Sequence, residues 1–251
     1  MDLQLKNKTA LVTGASVGIG RAIAKTLAAE GVRLAITARR VDKLREVAAE
    51  IVAAGGHAPV LIEQDMYAAD AAQNLAQAAV KGLGHVDILI NNAGGSRSFK
   101  DLHVSEEQWQ EAITLNFHRP RQLGDALIDQ MIARKWGRIV CITGKSEPEH
   151  INGAFCAKAG IHSWAKGLSR MVGQHGITVN CVPPGRIISE QIMRNYSAEY
   201  QKWQCENEIP VGRYGDPEEL ANLVTFLAST RASYITGAVI PVDGGLRKYQ
   251  F

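Results

Sequence analysis

Short apolar segments alternate with longer segments of helical periodicity along almost the whole chain. Segments that stay apolar from end to end are typical of strands buried on both faces of a sheet. The predicted strands are TALVTG, RLAITAR, PVLIEQD, VDILINNAG, GRIVCIT, GITVNCV and GAVIPVDGG. The segments between them have apolar residues three and four positions apart, which predicts helices over 21–30, 42–54, 69–81, 105–132 and 155–174.

This alternation predicts an α/β fold with a doubly wound parallel sheet of the Rossmann type, because parallel strands need a crossover helix between them. With 251 residues, the chain is expected to form one domain over 1–251. The least regular segment, about 186–214, contains Met193, Tyr196, Tyr200 and Trp203. It is interpreted either as a substrate lid or as a small local core of its own, and the pattern does not decide between them.

Composition narrows the possible functions. The 28 basic and 25 acidic residues are spread along the chain without a basic run, so nucleic-acid binding is not expected. The polar N-terminus and the lack of about 20 consecutive apolar residues predict a cytoplasmic protein without a signal peptide or membrane span. The cysteines lack metal-ligand spacing, so no metal site is expected and these residues are predicted to be reduced and mostly buried: Cys141, Cys156, Cys181 and Cys205.

The first chemical signal is a glycine-rich turn after the opening strand. In TGASVGIG, Gly14, Gly18 and Gly20 lie between a predicted strand and a predicted helix. Backbone amides and the helix N-terminus can then bind a diphosphate. The turn therefore predicts a dinucleotide site.

The end of the second strand indicates which dinucleotide binds. Sites for NAD usually have an acidic residue there, whereas this strand ends in TARR. Arg39 and Arg40 suit a 2′-phosphate, which favours NADP(H) as the cofactor.

These features and several later motifs resemble the short-chain dehydrogenase/reductase family of about 250 residues. The resemblance runs from Lys8 to Gly245 and implies a homotetramer. The motifs that carry it are TGASVGIG, Asp65, NNAG at 91–94, Asn116 in TLNF, GRIVCIT, Lys158 in AKAG, GITVN, Pro184 with Gly185, and PVDGG.

The resemblance also implies further cofactor contacts. They are Ser16 and Ile19 at the phosphates, Asp65 and Met66 at the adenine, Asn91, Ala93 and Gly94 beside the nicotinamide ribose, Lys158 on the ribose hydroxyls, and Ile187 and Ser189, which follow Pro184 and Gly185, at the carboxamide.

The chain departs from the family at the catalytic tyrosine. Members usually have a tyrosine four residues before the lysine, a serine near the substrate oxygen and an asparagine that holds a relay water. Asn116 and Lys158 match, but the tyrosine position is Ala154. The serine position falls on Thr143 or Gly144, and the segment that follows is shorter than usual. Alanine has no proton to donate, so another group must act as the acid.

Ser146 and His150 are the candidate replacements. If the helix begins one turn early, His150, Ala154 and Lys158 lie on one face, since residues four apart are neighbours. The rival candidates in the same loop are Lys145, Glu147 and Glu149. Cys156 is expected to face away from this row and to pack.

Three functions remain open at this point. The favoured one is NADP(H)-dependent reduction of a carbonyl, or oxidation of an alcohol, on an acyl or 3-oxoacyl type of substrate. The alternatives are a non-redox dehydratase or isomerase, and an NADP(H)-binding protein without redox activity. Basic residues near the expected pocket mouth would suit an acidic or acyl-linked substrate: Arg97, Lys100, Lys145 and Arg186. The apolar tail residues Tyr249 and Phe251 are expected near a subunit interface.

Overall fold

The computed structural model describes residues 1–96, 99, 102–144 and 151–248, without the side chains of Gln191 and Asn195. Within these residues, a parallel sheet of six strands has the order β3-β2-β1-β4-β5-β6. Its strands are Thr9–Thr13 (β1), Arg33–Ala38 (β2), Val60–Glu63 (β3), Ile88–Asn91 (β4), Gly137–Ile142 (β5) and Ile177–Val182 (β6). The order reverses direction at β1, as in a doubly wound fold, so the predicted fold class is confirmed.

Helices cover both faces of the sheet and enclose two apolar cores. One core packs Ile23 and Leu27 against Leu220 and Val224. The other packs helix residues such as Leu127 against strand residues of the opposite face. The helices are Gly18–Ala29 (α1), Val41–Ala53 (α2), Ala71–Leu83 (α3), Glu106–Ile113 (α4), Arg119–Arg134 (α5), Gly153–Val172 (α6), Glu190–Asn195 (α7), Ala198–Asn207 (α8) and Pro217–Leu227 (α9).

The helix predicted over 105–132 contains a π-helical turn at Thr114–His118, between α4 and α5. The side chain of Asn116, inside this turn, donates a hydrogen bond to Ala112 O at 2.9 Å. A π turn changes the i→i−4 pattern, so side-chain donors can bind backbone carbonyls there, and such turns are frequent at functional sites.

The seventh predicted strand pairs with β6 but forms isolated bridges, Cys181↔Val239 and Pro184↔Val242. Hydrogen bonds still join the two segments, including Ile240 N to Cys181 O at 2.9 Å. Proline lacks an amide hydrogen, so Pro184 and Pro241 interrupt a regular ladder. The prediction of a regular strand was therefore wrong in detail, although the segment extends the sheet beside β6.

The segment 186–214 contains α7 and α8, and its aromatic rings lie on the surface. Tyr196 stacks on Tyr200, which stacks on Trp203, with ring centroids 5.5 Å and 5.8 Å apart. Trp203 is 47% exposed and Met193 is 59% exposed. The rings therefore pack on one another at the surface, and both interpretations of the segment, a lid and a small local core, stay predictions.

The prediction for the cysteines holds in part. Cys141 and Cys181 are buried neighbours on β5 and β6, and both are free thiols. Cys156 is exposed, so the expectation that it packs was wrong. The described helices include none with the length and apolar composition that crossing a membrane requires.

Candidate functional site

The glycine-rich turn lies at the carboxyl end of β1, where the strand order of the sheet reverses. Gly14 and Gly18 have φ angles of 64° and 54°, a region that side chains with a Cβ rarely adopt. A Cβ on Gly20 would overlap with the carbonyl oxygen of Gly14. The turn therefore needs glycine at these positions for its close backbone approach.

A hydrogen-bond network from β4 holds this turn. The side-chain amide of Asn92 donates to Thr13 O at 3.0 Å and to Gly14 O at 3.1 Å. The Thr13 hydroxyl accepts from the backbone amides of Asn92 and Ala93, both at 2.9 Å. The sequence analysis assigned no individual role to Thr13 or Asn92. Thr13 is the last residue of β1, and Asn92 follows β4. These strands are parallel neighbours, so their ends meet at one edge of the sheet.

Helix α1 begins directly after the turn, and its first amides are free to bind an anion. Val17 precedes the helix, and in the described part of the chain no side chain caps these amides. Ser16 is buried beside them, and Ile19 is partly buried. Uncapped amides and the positive end of the helix dipole suit a diphosphate.

Arg39 and Arg40 follow β2 and are both exposed. Arg40 forms an ion pair with Glu190, 3.0 Å between Nη2 and Oε2. Over the described ranges, Arg39 has no ion pair. Both residues follow β2, the strand next to β1, so they come from the same edge of the sheet as the glycine-rich turn. This position suits a 2′-phosphate.

The end of β3 is fixed by an arginine that the sequence reasoning missed. Asp65 is exposed and accepts a hydrogen bond from Tyr67 N at 3.0 Å, while Met66 is buried. Arg119, itself 7% exposed, donates to Met66 O at 2.7 Å and to Ala68 O at 2.8 Å. Arg119 thus ties the segment expected at the adenine to the start of α5.

A small cavity lies at the carboxyl ends of β4 and β5, and Asn91, Ala93, Asn116, Thr143 and Lys158 are among the residues that line it. The buried Lys158 ammonium donates to Thr143 O at 3.2 Å. Burial lowers the pKa of Lys158 to about 8, so the group is still mainly charged at pH 7. The buried Oδ1 of Asn91 has no hydrogen-bond partner among the described residues.

Asn116 joins this cavity to the segment after β4. Its side chain donates to Gly95 O at 3.0 Å and accepts from Gly95 N at 3.2 Å. A Cβ on Gly94 would lie 3.0 Å from Asn116 Oδ1 and 3.6 Å from Lys158 Nζ. The structure therefore brings Gly94, Asn116 and Lys158 together, as the resemblance implies.

Helix α6 begins too late for the predicted row of residues 150, 154 and 158. Asn152 is extended, with a φ of −148°, and its side chain accepts from Ala154 N and Phe155 N. This cap starts the helix at Gly153, so the condition for that row, a helix that begins one turn earlier, is not met. Ala154 is buried and offers no side-chain proton. The loop candidates lie outside the described residues: Lys145, Ser146, Glu147, Glu149 and His150.

A second histidine lies next to the cavity and was also missed. His162 Nε2 is 2.8 Å from the hydroxyl of Thr143. Arg247 donates to Gly144 O at 2.9 Å. Burial, then the charges of Arg247 and Lys158, lower the pKa of His162 to about 4. Its position one turn after Lys158 was a signal in the sequence, but only the structure shows that the ring faces Thr143.

The segment after β6 covers the glycine-rich turn. Gly185 has no room for a Cβ, which would lie 2.5 Å from Asp243 Cα. The buried Ile187 forms an isolated bridge with Gly215. A Cβ on Gly18 would lie 3.5 Å from Ser189 Cβ.

Pro184 begins this segment, and Arg186 follows Gly185. Arg186 donates to the hydroxyl of Tyr196 at 2.8 Å. Of the other basic residues expected at the pocket mouth, Arg97 and Lys100 lie outside the described residues, as do Tyr249 and Phe251.

This chain's residues fit a dinucleotide. Uncapped helix amides face the diphosphate position, a buried amide oxygen and a buried ammonium line the cavity, and two arginines follow β2. In open α/β sheets such a ligand binds at the carboxyl ends of the strands, where the order reverses.

A family model described as enoyl-(acyl carrier protein) reductase matches residues 14–247. The chain belongs to the short-chain dehydrogenase/reductase family. Members similar to it include the 3-oxoacyl-[acyl-carrier-protein] reductase FabG of Escherichia coli, 37% identical over 97% of this chain and 99% of that protein. The reductase of the same name from Aquifex aeolicus is 35% identical over 98% and 100%.

Solved structures agree with this assignment. The L-sorbose reductase of Gluconobacter frateurii, determined with NADPH and L-sorbose, has a TM-score of 0.93 and 29% identity, and each chain is covered in full. A short-chain alcohol dehydrogenase structure from Sinorhizobium meliloti has a TM-score of 0.91 and 32% identity over 98% of both chains.

Proposed function

We propose that this protein is an NADP(H)-dependent oxidoreductase that reduces a carbonyl group or oxidises the corresponding alcohol. The observation that carries the proposal is the convergence of Ala93, Asn116 and Lys158 on one cavity. This cavity lies at the same edge of the sheet as the glycine-rich turn after β1 and the two arginines after β2. The FabG relatives and the NADPH-bound sorbose reductase support the same cofactor and reaction class.

Each residue has a defined task in this mechanism. Reduced NADP, when bound, supplies the hydride. Lys158, charged at neutral pH, donates hydrogen bonds to ribose hydroxyls in the cavity. Asn116, fixed by Gly95 and Ala112, keeps the cavity wall in place. The uncapped α1 amides bind the diphosphate, and Arg39 neutralises the 2′-phosphate.

The proton for the developing alkoxide must come from a group other than Ala154. We assign this role to His150, with Ser146 as the alternative donor. Water held by Asn116 and Lys158 is the third possibility. Because α6 begins at Gly153, the helical row of residues 150, 154 and 158 no longer supports His150 as the acid. The assignment of His150 depends only on its being the histidine between β5 and α6.

The test of the donor is a pH profile of kcat/KM for carbonyl reduction. With His150 as the acid, the rate falls as the pH rises through about 6 to 7, the ordinary range for histidine. His150→Gln should remove this fall and cost about 100-fold, as expected for a positioned acid. An unchanged rate and profile would exclude His150, and Ser146→Ala would then be measured in the same way.

The proposed substrate is an acyl-linked 3-oxo compound, in keeping with the names of the FabG relatives. We further propose that 186–214 is the substrate lid, because its first residues, which form its base, are joined to Gly215 and reach Gly18 of the glycine-rich turn at Ser189. Arg186 lies at this base, where it suits an acidic group on the substrate.

The proposed assembly is a cytoplasmic homotetramer. The family resemblance supports it, as do exposed apolar side chains such as Met171, 72% exposed, and Tyr234, fully exposed. Sedimentation at micromolar concentration tests this assembly. A species of four subunits is expected, and a monomer would contradict the proposal.

A further inference from the structure

The segment after β6 crosses the carboxyl edge of the sheet and contacts the residue that follows β2. Strands β5, β4 and β1 lie between β6 and β2. At about 4.8 Å per strand, the distance to be crossed is about 19 Å. The seven residues from Pro184 to Glu190 make six Cα–Cα steps and can span about 20 Å when extended. The segment is therefore long enough to cross the whole crevice for the dinucleotide.

Three contacts fix the path of this segment. The base is held by Ile188 N, which donates to Gly215 O at 2.9 Å. Ser189 passes over Gly18 in the glycine-rich turn. Glu190 then forms its ion pair with Arg40. The segment thus covers the diphosphate position and ends on a residue of the 2′-phosphate site.

Arg39 and Arg40 are adjacent and both exposed, but they differ in whether they form an ion pair. Arg40 is engaged by a carboxylate, whereas Arg39 forms no ion pair in the ranges that the structure describes. The Arg40 and Glu190 side chains are 47% and 60% exposed, so their pair is weak. A phosphate monoester carries up to two negative charges and three acceptor oxygens, and it is the stronger ligand for a guanidinium group.

We propose that Glu190 is a specificity-determining residue that competes with the 2′-phosphate of NADP(H) for Arg40. Binding of NADP(H) replaces the carboxylate on Arg40 and releases the start of α7. NAD(H) has no 2′-phosphate, so the Arg40–Glu190 pair persists when it binds. Glu190 therefore lowers the preference for NADP(H) and links the identity of the cofactor to the position of α7. The proposal rests on the proposed function only for the class of cofactor.

The experiment is isothermal titration calorimetry of the full-length protein with NADP⁺ and with NAD⁺, which needs no substrate. Glu190→Gln should tighten NADP⁺ binding by about two- to fivefold, the range expected for an exposed ion pair, and should leave NAD⁺ binding unchanged. Glu46→Gln is the matched control, because Glu46 pairs with Lys43 on nearby α2. It should change neither dissociation constant.

A double-mutant cycle identifies the partner of Glu190. Arg40→Gln should weaken NADP⁺ binding, and adding Glu190→Gln should then have no further effect. The proposal is overturned if Glu190→Gln acts equally on both nucleotides, because the carboxylate would then act at the diphosphate or on the segment as a whole. It is also overturned if the effect of Glu190→Gln persists in Arg40→Gln.

The outcomes separate this proposal from the proposed function. Nucleotide binding with the expected cycle, but without reduction of any carbonyl, would refute only the proposed reaction. Carbonyl reduction with NADPH, but without coupling between Arg40 and Glu190, would refute only the role of Glu190. Thermal unfolding of each variant checks that these exposed substitutions leave the fold intact.

Discussion

The partly buried His162 makes the stability of the protein depend on pH in a defined direction. Its pKa is lowered to about 4 by burial, then by Arg247 and Lys158. The unfolded chain has the ordinary value of about 6.5 and therefore binds more protons between pH 6.5 and 4. The contribution of His162 to stability is complete above about pH 6.5, falls as the pH is lowered, and is lost below about pH 4.

The size of this effect follows from the same values. The difference between about 4 and 6.5 corresponds to about 3.4 kcal/mol, at about 1.36 kcal/mol per pH unit. Because the ring is only partly buried, solvent screening reduces this to about 2 kcal/mol. In a chain of this size, about 2 kcal/mol shifts the Tm by about 4–8 °C.

His162→Gln tests this reasoning, since glutamine can still bind the Thr143 hydroxyl but does not titrate. Urea unfolding between pH 8 and pH 4 should show that the variant loses about 2 kcal/mol less than the wild type as the pH falls. His57→Gln, at an exposed histidine, is the control and should follow the wild type. Parallel curves for the wild type and His162→Gln would refute the argument.

Three further predictions concern the cofactor site. NADPH should bind about tenfold more tightly than NADH or better, a difference of about 1.4 kcal/mol, and Arg39→Asp should reverse this preference in a fluorescence titration. Equal dissociation constants for both nucleotides in the wild type would contradict the assignment of NADP(H) as the cofactor. Lys158→Met removes the buried ammonium, so it should raise the dissociation constant for NADPH about tenfold and also lower the rate of carbonyl reduction. An effect on that rate alone would show that the lysine does not hold the cofactor. Gly20→Ala places a methyl group against Gly14 O, so it should cost about 1–3 kcal/mol of stability and weaken NADPH binding more than tenfold, both measured by calorimetry. The control is Gly167→Ala on α6, where the added methyl group meets open space, and it should lose neither stability nor affinity for NADPH.

The fold and the cofactor site follow closely from local sequence patterns. The apolar runs predict the strands because both faces of a parallel sheet are buried. The position of Gly20 predicts close backbone contact, and Arg39 follows β2 by one residue. Each of these features depends on neighbours in the sequence, so it can be read without knowledge of tertiary contacts.

The parts that could not be predicted depend on contacts between distant segments. The start of α6 at Gly153 is set by the side chain of Asn152, which caps the helix, and nothing in the spacing of residues 150, 154 and 158 shows this. Arg119 reaches Met66 across 53 positions of sequence. Glu190 meets Arg40 across 150. Such pairs are set by the order of the strands, which the alternation of strands and helices does not fix.

The central claim is that this chain reduces a carbonyl with NADPH although Ala154 occupies the position at which the family resemblance implies a tyrosine. The direct measurement is the oxidation of NADPH by the purified protein with a 3-oxoacyl thioester, followed at 340 nm alongside mass analysis of the product. The claim predicts equal amounts of NADP⁺ and 3-hydroxyacyl product, with kcat/KM at least about tenfold higher for NADPH than for NADH. Tight binding of NADPH without oxidation, over a range of 3-oxoacyl chain lengths and pH values, would contradict it.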